Sequence, residues 1–160
     1  MLIRPFVAPD LARVLDLTVD TFGPFFEESF RPLVGDRIYA NQAGDWRADY
    51  HREVPALHDP EQHRFVAVAE LGTVIAGYIA WNVDPQRRNG CVTHVAVSAA
   101  HRRLHLGTAL CGHAFDAMRA LGAEVVQIGT GGDAFHAPAR ALYESLGCTP
   151  MPLVTYYRQL

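Results

Sequence analysis

The chain has 160 residues, 49% of them hydrophobic and 19% charged, a balance that suits one globular domain spanning residues 1–160 and excludes a disordered chain. Its net charge of −3, with no basic run, argues against nucleic acid and anionic membranes as partners, and no stretch reaches the roughly 18 apolar residues of a membrane span. Cys91, Cys111 and Cys148 lack metal-type spacing and the N-terminus lacks a signal peptide's apolar core, so we expect reduced thiols and a cytoplasmic protein.

Leu2–Phe6 reads as a first strand. Pro9 and Asp10 open a helix whose positions Leu11, Val14, Leu15, Thr18 and Phe22 keep close to a 3.6 period. From Gly23 to Pro60 the pattern turns irregular and aromatic, with Phe25, Phe26, Phe30, Tyr39, Trp46 and Tyr50. One helix is expected there behind an Asp45 cap, stopping before Pro55. Arg64–Glu70 and Val74–Val83 are strands joined at Leu71-Gly72-Thr73, a hairpin signal. Cys91–Val97 joins the same sheet, and strict alternation puts Val92, His94 and Ala96 on one face, opposite Thr93, Val95 and Val97. Leu106–Leu121 is a helix with Gly122 as its stop. Val125–Ile128 is a strand, Pro138–Leu146 a helix ending at Gly147, and Leu153–Tyr157 a last strand. The order is mixed α/β.

The most telling stretch runs from Val95 to Leu110. A β-branched strand ends at Val97, a turn carries Arg102 and Arg103, and a small-residue helix starts near Leu106. A strand–loop–helix junction of this kind offers free backbone N–H groups and positive charge to an anion, and the helix dipole adds its own attraction. Gly107 lacks the Cβ that would block close approach. The alternative is a surface turn with solvated arginines. His101 and His105 have the spacing of a helical metal pair, but they fall in the turn and lack a third ligand, so no metal is expected. Gly129–Ala134 formally fits Gly-x-Gly-x-x-Ala, yet the acidic ribose ligand about 20 residues on is missing, because Glu144 is the last acid in the chain.

Arg102-x-x-His105-x-Gly107 resembles the pyrophosphate-binding motif of the GNAT N-acetyltransferases, Gln/Arg-x-x-Gly-x-Gly/Ala, with His105 in place of its first glycine. Ala139-Arg140-Ala141-Leu142-Tyr143-Glu144-Ser145-Leu146-Gly147-Cys148 is similar to the family's Ala-x-x-Leu-Tyr-Glu-x-x-Gly-Phe helix. Cys148 stands for the usual Phe, and His136 stands where many members carry Asn. The resemblance implies an acyl-CoA N-acyltransferase-like fold, a central twisted, mostly antiparallel mixed sheet flanked by helices. It implies acetyl-coenzyme A as cosubstrate, with no metal. The coenzyme would be held by Val95, Ala96 and Val97 of the strand, by Arg102, Arg103, Leu104, His105, Leu106, Gly107 and Thr108 of the loop, and by His136, Ala139 and Tyr143.

The resemblance also makes Tyr143 the acid that protonates the departing thiolate, although a tyrosine on a helix's inward face is equally a packing residue. His94, just before the turn, is a suitable base for an ammonium near pKa 10, or alternatively a histidine bonded within the sheet. The implied reaction is acetyl transfer to a primary amine of a small molecule or polypeptide by direct attack in a ternary complex. A non-catalytic acyl-coenzyme A sensor or scaffold of the same fold is the alternative, and a homodimer stays open. Residues 23–59 hold 7 acids against 4 arginines, interleaved with aromatics, which inclines the acceptor toward a cation.

Overall fold

The computed structural model describes all 160 residues. In chain order they form β1 (Leu2–Pro5), α1 (Leu11–Pro24), α2 (Arg31–Val34), α3 (Asp36–Ala43), α4 (Trp46–Glu53), β2 (Arg64–Leu71), β3 (Val74–Asp84), β4 (Asn89–Val97), α5 (Leu106–Ala120), β5 (Val125–Ile128) and α6 (Ala137–Ser145). One sheet takes the order β1-β2-β3-β4-β5. The first four strands pair antiparallel, and β5 joins β4 in parallel. A parallel step needs a crossover, and α5 supplies it.

Helices cover both sheet faces, so both are apolar. On one side Ala67, Ala69, Ile79, Trp81, Val83 and Val92 pack against Leu106, Leu110, Cys111, Ala114 and Met118 of α5. On the other, Val66, Val68, Tyr78, Ala80 and Ala96 meet Val14 and Leu17 of α1. The buried Tyr78 hydroxyl is satisfied by Thr18 Oγ1 at 2.7 Å, and Thr18 in turn donates to the Val14 carbonyl. Arg4 clamps the sheet edge, donating to both Asp10 carboxylate oxygens at 2.7 and 2.9 Å and to Glu70.

Three sequence expectations change. The segment 23–60 is mostly helical: a π-helical turn, Phe25–Phe30, follows Pro24, and α2, α3 and α4 come after it. Its period is obscured because Tyr39, Ala43 and Trp46 fill a small core of their own with Phe26 and Phe30. Asp45 precedes α4 as expected, but its side chain makes no capping bond. Second, Val92 does not share a face with His94. The β3–β4 register steps from Ala80↔His94 to Trp81↔Val92, leaving Thr93 as a bulge. The extra residue reverses the alternation, so Val92 lies under α5 while His94 and Ala96 face α1.

Third, Leu153–Tyr157 is not a strand. The pattern has β propensity, but a strand exists only where an edge pairs with it. Here Pro150 and Pro152, which lack N–H donors, lead the chain elsewhere. Leu153, Val154 and Tyr156 stay exposed, and Tyr157 meets Phe30 with ring centroids 5.6 Å apart.

Candidate active site

The bulge and the short β5 together open the sheet. β5 pairs with β4 only as far as Val92↔Ile128, while β4 runs on to Val97. Beyond Val92 the β4 edge facing β5 has no strand beside it. The Ser98 N–H bonds to Ala76 on β3 at 2.8 Å, so by alternation the backbone groups of Val95 and Val97 project toward the gap. The Val97 carbonyl, turned that way, accepts Arg102 Nε at 3.4 Å. Two free amides two residues apart are suited to a carbonyl oxygen that gains negative charge. Ala96, by the same alternation, faces β3 with its backbone and contributes to the wall of the gap only through its neighbours.

At the mouth of this gap lies the loop before α5. Arg103 and His105 both take left-handed backbone, with φ of 62° and 58°. Each costs about 1–2 kcal/mol for a residue with a Cβ, and such strain gathers at ligand-binding turns. His105 is therefore bent as a glycine would be, and its ring stays on the surface. It precedes Leu106, and the α5 ladder begins with the Ala109 N–H bonding to the His105 carbonyl at 3.0 Å. The N–H groups of Leu106, Gly107 and Thr108 are left without helical partners. Arg102, Arg103 and Leu104 are exposed, and neither arginine is paired with a carboxylate. Donors, dipole and guanidinium groups with no carboxylate partner lie on one turn, the complement of a diphosphate. Gly107 has a second reason to lack a side chain: a Cβ there would stand 3.0 Å from Leu142 Cδ2 on α6.

His94 lies in an aromatic pocket on the α1 side. Phe22, Tyr50 and Tyr78 surround it at centroid distances of 5.8, 6.4 and 6.5 Å. Its Nδ1 is buried without a partner, and its Nε2 is 3.6 Å from Glu53 Oε1. Desolvation holds the imidazole below its usual 6.5, partly opposed by the Glu53 charge. It is thus neutral, and able to accept a proton, at pH 7. Glu53 was not singled out from sequence. Its signal was its place three residues after Tyr50, on the same helix face.

α6 packs against the α5 side of the sheet, with Leu142 beside Gly107. Tyr143 is half-buried among Leu142, Leu146 and the α5 core, and burial, with Cys111 and Cys148 nearby, pushes its phenol up to about 12. It keeps its proton at neutral pH. Ala139 is half-buried one turn earlier. His136 forms the N-cap of α6, and its Nδ1 lies 2.7 Å from Asp133 Oδ2 while its backbone N–H donates to Asp133 Oδ1. Burial tends to raise the Asp133 carboxyl, but the His136 hydrogen bonds and charge outweigh it and hold it below the usual 3.8. Asp133 was also missed; its spacing of three before a histidine is unremarkable until the loop is folded. No group of three or more His, Cys, Asp or Glu side chains comes together as a metal site.

The sequence profile of the Acetyltransferase (GNAT) family matches residues 15–148, covering both the loop before α5 and the whole of α6. The chain belongs to the GNAT acetyltransferase family. Its fold is shared by a mutant protein of Bacillus halodurans (TM-score 0.76, 16% identity, 100% of both chains covered). It is shared as well by the aminoglycoside 6′-N-acetyltransferase AAC(6′)-Ig of Acinetobacter haemolyticus (0.69, 17%, 100% and 99%). A third is AAC(6′)-Iy in complex with the bisubstrate analogue CoA-S-monomethyl-acetylneamine (0.69, 12%, 99% and 97%). No curated protein matches the chain by sequence. GNAT membership supports acyl transfer as the class of chemistry. No helix of the chain is long and apolar enough to cross a membrane.

Proposed function

We propose that this GNAT protein transfers an acetyl group from acetyl-coenzyme A to a primary amine by direct attack. The observation that carries the reading is the alignment of the open β4 edge with the anion cradle before α5. Val95, Ala96 and Val97 supply the strand beside which the thioester lies, and the amides of Val95 and Val97 polarise its carbonyl. Arg102, Arg103, Leu104, His105, Leu106, Gly107 and Thr108 form the turn that receives the diphosphate. His94 removes a proton from the ammonium, directly or through water. Tyr143, neutral and without a protein partner for its hydroxyl, hydrogen-bonds the leaving sulfur. A phenol near 12 yields its proton only to a thiolate that is itself desolvated, as a sulfur seated beside this half-buried side chain would be.

The acceptor is a cationic amine of a small molecule or peptide. Glu53 beside His94, with Phe22 and Tyr50, offers charge and aromatic faces to such a group. Asp49 is bonded to Arg52, whereas Glu53 stands 3.6 Å from His94 Nε2, so Glu53 is the acid placed to meet a cation there.

The test has two arms. Acetyl-coenzyme A at about 100 times its Kd adds roughly 2.7 kcal/mol to stability, a thermal shift that NADH and ATP should not match. With a panel of polyamines, aminoglycosides, amino acids and short peptides, free thiol should then be released. No shift at millimolar acetyl-coenzyme A overturns the reading. A shift without thiol release over the panel favours a sensor instead.

A further inference from the structure

The loop between β5 and α6 holds its histidine more firmly than a coenzyme contact requires. Arg140 Nη1 donates to the carbonyls of Gly131 and Asp133, both at 2.6 Å, which pins the turn. A Cβ on Gly131 would overlap Asp133 Oδ2 and His136 Nδ1, so this position stays bare for the pair. Asp133 accepts from both the ring and the backbone of His136. An ionised carboxylate only accepts, so Nδ1 carries a proton and, in the neutral ring, Nε2 is the nitrogen left with a lone pair. Phe25 and Phe135 stand edge-on to the ring, at 4.8 and 5.1 Å.

Phe25 ties this pair to the acceptor pocket. It follows Phe22 by one helical turn, and Phe22 is the residue in contact with His94. One stretch of chain, running from the end of α1 into the π-helical turn, therefore touches both imidazoles, one from β4 and the other from the head of α6. Turns of π-helix recur at functional sites. The chemistry has use for two proton acceptors. A primary ammonium loses one proton before its nitrogen attacks and a second as the amide forms.

We propose that His136, oriented by Asp133, is a second catalytic base of the acetyl transfer; this rests on the transferase reading above. One proton leaves the ammonium for His94. The amine nitrogen bonds to the thioester carbonyl carbon, gives a second proton to His136 Nε2, and the carbon–sulfur bond breaks. The sulfur takes its proton from Tyr143, which regains one from water. The two imidazoles return theirs to solvent, so each turnover releases one proton net. Asp133 is a positioning residue: it fixes the tautomer and stabilises the imidazolium.

The experiment uses the full chain with acetyl-coenzyme A and the best amine of the panel. His136→Gln and His136→Asn keep a hydrogen-bonding side chain but cannot carry the proton. Each should lower kcat by about 10- to 100-fold while the acetyl-coenzyme A Kd stays within about threefold. Asp133→Asn should lower kcat less, and ¹⁵N NMR of the labelled histidines should show the His136 ring leaving the Nδ1–H tautomer. Unchanged kcat in both His136 variants overturns the inference and leaves the transferase reading standing. So does a rise in Kd with kcat unchanged, which would make His136 a coenzyme contact only, and so does a wild-type ring protonated on Nε2. Absence of wild-type turnover sinks the transferase reading and this inference together.

Discussion

At the scale of single residues, the two proton-handling groups differ in how burial acts on them. Desolvation disfavours charge, so it lowers the imidazole of His94 and raises the phenol of Tyr143, leaving both neutral at pH 7. The sign of the pH effect follows. His94 works as a base when neutral, so kcat/KM should fall on the acid side, at a pH below 6.5 because the folded value is depressed. Glu53 is the charged group facing His94, with Phe22, Tyr50 and Tyr78 as its other neighbours. Removing that charge with Glu53→Gln should move the limb further toward acid, and His94→Gln should abolish it; a limb unmoved in both variants assigns the base elsewhere. Tyr143→Phe keeps the packing volume and removes the donor. We expect kcat to fall by about 100-fold or less with little change in coenzyme affinity. Unchanged kcat, with chemistry rate-limiting, returns Tyr143 to packing alone.

At the scale of elements, the junction of β4 and α5 does two tasks with one loop. The left-handed turns at Arg103 and His105 aim the first amides of α5 outward, while Gly107 lets α6 approach. Arg102→Ala and Arg103→Ala should weaken coenzyme binding and flatten its salt dependence, since both groups are exposed and neither is neutralised by a carboxylate. His105→Gly relieves the left-handed backbone and should preserve binding, read by titration calorimetry; a large loss would mean that the ring itself contacts phosphate. Gly107→Val is more disruptive than the loop alone suggests. Its side chain presses on Leu142, so lost binding should come with a lower Tm as well as a blocked cradle.

At the scale of the molecule, a sheet with helices on both faces buries the site's framework and leaves its C-terminal tail outside. Beyond Gly147 the tail's one aromatic contact is Tyr157 with Phe30, worth about 0.5–1.5 kcal/mol. Deleting residues 151–160 should therefore lower Tm by only a few degrees, at roughly 2–4 °C per kcal/mol for a domain of this size. A collapse of the fold on deletion would mean that 153–157 pairs with a sheet edge in solution.

Local patterns settled much of this protein. Helical periods gave α1 and α5, β-branched runs gave β2 to β5, and the Arg102–Gly107 and Ala139–Cys148 segments located the coenzyme side, because a phosphate turn is built from consecutive residues. The tertiary structure decided what depends on neighbours far along the chain. The Thr93 bulge turned Val92 away from His94, the small aromatic core hid the helices of 31–43, and the prolines before Leu153 left a strand-like segment without an edge. Glu53 and Asp133 gained meaning in the same way. A carboxylate becomes a partner only when folding brings an imidazole to it: spacing put Glu53 on the helix face of Tyr50, and the fold decided that His94 lay against that face.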